Sequence, residues 1–312
     1  MPAQPTPAKQ QLYVQLVDVL NTLFGSHPGF RAAHAKGVVC EGSFTAAPAA
    51  AGISRAAHFQ GASVAVTCRF SNATGIPTIP DGDPNATPKG FAIRFHAPGA
   101  GDTDIVAHSA NGFPVSTAED FLIFLRAVAA SGPGVEHPTP VEQFVGAHPN
   151  TKKFVQLPKP TPASFATTGY FGVNAFRFVD KDGRVQPGRY VIQPVAGEKF
   201  LDAADAAARK PDFLFEELKQ RLGQSPLQFR LKLQLPNAGD PTHDPSHVWP
   251  ADRTLVELGT LSINSVVADS DSAQKKLIFD PARLIDGIAF SDDPLPADRA
   301  GVYSVSFSRR NP

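Results

Sequence analysis

The chain has 312 residues, 42% of them hydrophobic and 19% charged, which is the balance of an ordinary globular protein with ample material for a core. Its 29 basic and 29 acidic side chains cancel, so the footprint of a nucleic-acid binder or of a protein held to an anionic membrane is excluded. No apolar run approaches the roughly 20 residues of a membrane-spanning helix.

Residues 1–10, M-P-A-Q-P-T-P-A-K-Q, are proline-rich and polar and are expected to form a flexible segment. They lack the basic and apolar regions of a secretory signal, so the chain as given is expected in the cytoplasm, with the periplasm as the alternative if a leader has been removed. Residues 11–24 carry Leu12, Leu16, Val19, Leu20 and Leu23 at helical spacing, with an end expected at Gly25. From 37 to 115 short β-branched or aromatic runs alternate with turns, strands being expected over 61–70 and 91–95 around a proline-laden loop at 75–88. A helix is expected over 118–128, capped by Ser116 or Thr117, and 129–165 reads as loop. A hairpin turns at Asp182-Gly183 between strands from Phe176 and Arg189. Helices begin near Leu201 and Pro211, and period-2 strands at Phe229 and Thr254. Thirty prolines and 25 glycines suit a barrel with long connections better than a helical bundle. Cys40 and Cys68 have no metal-type spacing, and nothing indicates that they form a disulfide. The pattern is that of one α+β domain over 11–312, an antiparallel barrel with flanking helices.

In the last segment, R-A-G-V-Y-S-V-S-F-S-R-R, Arg299 and Tyr303 are four apart. On a helix they share a face, and a cation beside a phenol favours the phenolate, a hard anionic ligand of the kind that holds haem iron. Four stretches extend the pattern: R-A-A-H-A-K-G at 31–37, C-R-F-S at 68–71, T-P-K-G-F-A-I-R-F at 87–95 and D-I-V-A-H-S-A-N-G-F-P at 104–114. V-W-P at 248–250, F-D-P-A at 279–282 and the Arg299/Tyr303 pair complete it. In this order the motifs resemble the catalase superfamily: R-x-x-H-A-K-G, R-F-S, P-[RK]-G-F-A-[VI]-[RK]-F and D-L-V-G-N-N-x-P. The likeness covers about nine tenths of the chain, and the length resembles the catalase-related peroxidase branch.

The resemblance implies a catalase-type barrel with one haem, in its b form, between the barrel and the helix of Tyr303. It assigns Tyr303 to the iron, His34 to distal proton transfer, Ser71 to the other ring nitrogen of His34, and Asn111 to a hydrogen bond with peroxide. Arg31, Arg69 and Arg310 would hold the propionates. Phe124, thirteen residues after Asn111, would stack on the porphyrin. Arg299 would hold the Tyr303 oxygen, and Asp293 would orient Arg299. The chain departs from the family at Asn174, where a histidine is expected.

The implied substrates are hydrogen peroxide and small organic electron donors, with some dismutation; a homo-oligomer is left open. Because only nine residues follow Tyr303, the access channel is expected to be short and the peroxidase share of activity larger than in long catalases. Two alternatives remain. Allene oxide synthases of the same fold carry threonine where this chain has Ala33, and a non-catalytic haem carrier would need no distal acid–base pair.

Overall fold

The alternation expected of half-buried strands sets up the barrel. In L-Q-F-R-L-K-L-Q at 227–234, Leu227, Phe229, Leu231 and Leu233 are buried while Gln228 and Arg230 are exposed. The computed structural model describes residues 5–311. Eight antiparallel strands run in chain order: β1 (Gly37–Ala46), β2 (Val64–Ser71), β3 (Gly90–Ala97), β4 (Gly101–His108), β5 (Tyr170–Val179), β6 (Val185–Pro194), β7 (Leu227–Gln234) and β8 (Leu255–Val266). β8 returns to pair with β1, and β4 meets β5 through His108 and Phe171, so the sheet closes on itself. A short β9 (Ile288–Phe290) pairs with β5 outside the closed ring. Closure leaves no long unpaired edge.

The barrel is filled by aromatic side chains. Phe44, Phe70, Phe91, Phe95, Phe178 and Phe229 are fully buried, with Phe70 stacked on Phe91 at 4.3 Å between centroids. A second, smaller core forms outside the barrel. There α1 (Pro7–Phe24), α3 (Ala118–Ala129) and α9 (Leu295–Arg310) meet through Leu12, Leu16, Leu122, Leu125 and Leu295. The remaining helices are α2 (Ala50–Ile53), α4 (Pro140–Ala147), α5 (Pro149–Gln156), α6 (Ala203–Ala208), α7 (Phe213–Leu222) and α8 (Ser270–Lys276). None of the described helices is long and apolar enough to cross a membrane.

Two expectations need correction. The first helix starts at Pro7, inside the segment expected to be flexible, because Thr6 caps it by accepting from the Lys9 amide at 3.4 Å and proline suits the first helical turn. Residues 1–4 lie outside the described residues. The loop expected over 129–165 contains α4 and α5. Each starts at a proline, Pro140 and Pro149, and α4 has a full capping box from Thr139 and Glu142. Cys40 and Cys68 face each other across β1 and β2 as buried free thiols.

Candidate active site

Between the barrel wall and the helical layer lies a cavity of about 250 Å³. Its apolar walls come from Leu16 and Leu20 of α1, Phe113, Phe121 of α3 and Val302 of α9.

On the barrel side, His34 sits in the turn before β1 with φ of 55°, a left-handed backbone uncommon outside glycine but tolerated by histidine. Neighbouring groups hold the turn in place. The amides of His34 and Ala35 donate to the carbonyls of Ala73 and Thr74 at 3.0 and 2.9 Å, and Arg69 Nη2 donates to the carbonyls of His34 and Ala35. His34 Nδ1 lies 3.1 Å from Ser71 Oγ, at the end of β2. The imidazole fits there only because residue 90 is glycine. A Cβ at Gly90 would stand 2.5 Å from Ser71 Oγ and 2.7 Å from His34 Nδ1. Burial pushes the His34 imidazole down to about 3, helped by Arg69, His108, Arg299 and Arg31, so the ring is neutral.

On the helical side, Tyr303 lies one turn after Arg299 in α9. Its hydroxyl accepts from Arg299 Nε at 3.1 Å and Nη2 at 2.8 Å. The third guanidinium nitrogen, Nη1, donates to Asn174 Oδ1 at 2.6 Å, and Asn174 Nδ2 donates to Asp293 Oδ2 at 2.8 Å. Asp293 therefore does not touch Arg299; Asn174, buried on β5, stands between them. Burial pushes the Asp293 carboxyl up to about 6, against the opposing effect of the Asn174 hydrogen bond.

Three further guanidiniums gather at this cavity. Arg69 and Arg310 are buried and Arg31 is half-buried. Their partners among the described residues are neutral. Arg31 donates to the carbonyls of Gln274 and Leu277, Arg69 to Gln274 Oε1, and Arg310 to the Leu277 carbonyl, while Arg310 Nε has no partner among the described residues. Burial and mutual repulsion hold Arg31 well below the usual guanidinium range and bring Arg69 to about 9; burial brings Arg310 to about 10. Clustered buried cations without carboxylates call for an anion of more than one charge. An apolar, aromatic-walled cavity with that anionic demand on its rim and a phenol oxygen within it fits haem with two propionates.

The structure thus brings His34, Ser71, Arg31, Arg69, Arg299, Tyr303 and Arg310 to one cavity. It does not bring Asn111 or Phe124 there. Asn111 lies beyond the end of β4, half-buried and off the cavity wall, and Phe124 packs on Phe144 of α4 with centroids 5.5 Å apart. His108 and Phe121, each three residues earlier, line the cavity instead. The signal was present in the sequence: counting from Asp104 along D-L-V-G-N, the fifth position is His108, and thirteen residues further is Phe121.

Comparison with known proteins agrees with this architecture. The sequence pattern of the catalase family, described as Catalase, matches residues 15–310. A catalase-related peroxidase of Mycolicibacterium paratuberculosis is 37% identical over 299 residues, covering 95% of this chain and 94% of that protein. One from Synechococcus elongatus is 32% identical, covering 95% and 88%. A catalase of Alkalihalophilus pseudofirmus is 27% identical over 88% of this chain but only 43% of its own length. The chain belongs to the catalase family.

Proposed function

We propose that this protein is a haem-dependent peroxidase of the catalase-related kind. It would reduce hydrogen peroxide with small organic electron donors and carry some dismutation activity. One observation carries the reading: a hydroxyl gripped by Arg299 and a neutral imidazole gripped by Ser71 open onto the same cavity. The names of the two relatives above 30% identity support the peroxidase assignment.

Haem bound in this cavity would supply the iron that receives peroxide and stores its oxidising equivalents. Tyr303 would be the protein ligand to that iron, and Arg31, Arg69 and Arg310 would hold the carboxylates. With Nδ1–H donated to Ser71, His34 presents a lone pair at Nε2. That nitrogen takes the proton from one peroxide oxygen and returns it to the other, which leaves as water. Because burial disfavours the imidazolium, His34 does not keep the proton it takes. Arg299, Asn174 and Asp293 fix the orientation of Tyr303 from behind. The apolar walls exclude bulk water from the reacting oxygens.

The test is an absorption spectrum of purified protein expressed with ample haem, before and after peroxide. The expected result is a high-spin ferric tyrosinate spectrum that changes on adding peroxide and returns when a phenolic donor is supplied. Colourless protein would overturn the reading.

A further inference from the structure

The end of β4 puts a second imidazole beside His34. Ser71, Gly90 and His108 are direct partners across β2, β3 and β4, Ser71 opposite Gly90 and Gly90 opposite His108. Residues paired directly across an antiparallel sheet project to the same face, with neighbouring strands about 4.8 Å apart. The three positions therefore form a row on the cavity side, with Ser71 and His108 at its ends, roughly 10 Å apart. The missing side chain at Gly90 makes the gap that the His34 ring fills, since a Cβ there would stand 2.7 Å from Nδ1 and 2.9 Å from Cε1. His34 is thus flanked on one side by the hydroxyl that anchors it and on the other by His108.

The tautomer of His108 follows from its one partner among the described residues. The Ala110 amide donates to His108 Nδ1 at 3.3 Å. A backbone N–H can only donate, so Nδ1 accepts and the proton of the neutral ring sits on Nε2. That nitrogen has no partner among the described residues, and the ring lines the cavity. Burial brings the imidazole down to about 4, with the Arg299 charge acting the same way, so the neutral form applies. His34 has the opposite arrangement in the reading above, a lone pair at Nε2. The pair offers one acceptor and one donor, as needed by a molecule that must lose a proton at one oxygen and be held at the other.

We infer that His108 is a second distal catalytic residue, whose Nε2–H donates a hydrogen bond to the bound peroxide next to the base His34. It rests on the peroxidase reading for its substrate. The amide expected for this role, Asn111, is off the cavity wall. A donor placed where charge develops on oxygen lowers the barrier because its orientation is set in advance by the Ala110 amide.

The test uses the haem-loaded protein with His108→Leu and His108→Asn, the latter restoring an N–H donor. Haem content and the ferric spectrum should match wild type in both, since His108 does not hold the cofactor. The rate of reaction with hydrogen peroxide should fall roughly 10²-fold in His108→Leu, and His108→Asn should recover most of it. Cyanide, a small anion that accepts a hydrogen bond at its free end, gives a readout independent of turnover. Its dissociation constant should rise about tenfold or more in His108→Leu and return toward wild type in His108→Asn. A His108→Leu protein with full haem, wild-type rate and wild-type cyanide affinity would overturn the inference. If wild type bound haem and cyanide but left peroxide untouched, the peroxidase reading would fall, and the cyanide series would still decide whether His108 donates into the cavity.

Discussion

The Tyr303 hydroxyl accepts two hydrogen bonds from the single guanidinium of Arg299, through Nε and Nη2, and Tyr303 lines the cavity. A planar fork holding one oxygen by two donors fixes its direction as well as its distance. Tyr303→Phe keeps the ring and its packing but deletes that oxygen. Haem content after purification should fall sharply, and any haem retained should show a displaced Soret band. Full occupancy with an unchanged Soret band would show that Tyr303 is not the ligand.

Asn174 links Arg299 to Asp293 by using both ends of its amide. Replacing it by leucine leaves a guanidinium nitrogen and a buried carboxylate oxygen each short of a partner. At roughly 1–3 kcal/mol for each such group, Asn174→Leu should lose about 2–6 kcal/mol. Asn174→His retains one donor and one acceptor and should lose less. Denaturant unfolding of the two variants beside wild type measures the difference.

The three guanidiniums predict effects of opposite sign with and without cofactor. Arg310 lowers the tendency of Arg31 and Arg69 to stay charged, and its own Nε has no partner among the described residues. Arg310→Gln should therefore stabilise the haem-free protein by about 1 kcal/mol through relief of repulsion. In the loaded protein the same change removes a propionate partner and should weaken haem binding roughly tenfold or more. Thermal unfolding of the haem-free variant and haem transfer to apomyoglobin supply the two numbers.

The acid–base assignment separates two neighbours by magnitude. His34→Ala should retain haem and lose roughly 10²–10⁴ of the peroxide rate. Ser71→Ala leaves the imidazole in place but frees its tautomer and orientation, so the loss should be closer to tenfold. Stopped-flow mixing with peroxide distinguishes them, and equal losses would argue that Ser71 does more than orient.

Much of this could be read from sequence where local rules and the final packing agree. The strand from Phe229 alternates cleanly, the helix expected at 118 starts where Thr117 caps it, and Gly25 ends the first helix with φ of 84°. The failures have physical causes. Pro140 and Pro149 suggest loop when counted as helix breakers, yet proline at the first turn costs no hydrogen bond. For the distal amide, the register across β3 and β4 aligns His108 with Gly90 and carries Asn111 past the strand end. Phe124, thirteen residues after Asn111, is displaced by the same three residues. Neither the three-strand row nor the position of Asn174 between two charged groups is visible in one dimension, because each joins residues brought together only when the barrel closes.

His58 presents a different kind of test, inside the barrel and away from the cavity. It is completely buried against Phe59 and Phe95, with centroids 3.9 and 4.9 Å away, and neither ring nitrogen has a partner among the described residues. Burial alone pushes the imidazole down to about 3. The unfolded chain takes up the proton near the ordinary histidine value of about 6.5. Between those values the unfolded state holds more protons, so stability falls as pH falls, by up to about 1.4 kcal/mol per pH unit. The contribution is complete above pH 6.5 and lost progressively toward pH 3. His58→Leu, of similar volume, removes both the proton uptake and the unpartnered nitrogens. The variant should exceed wild type by about 1 kcal/mol at pH 7.5, and the gap should widen by about 2–3 kcal/mol on going to pH 4.5. Paired denaturation curves at the two pH values measure the gap directly, and a gap that stays constant would mean that His58 finds a proton partner in the folded barrel.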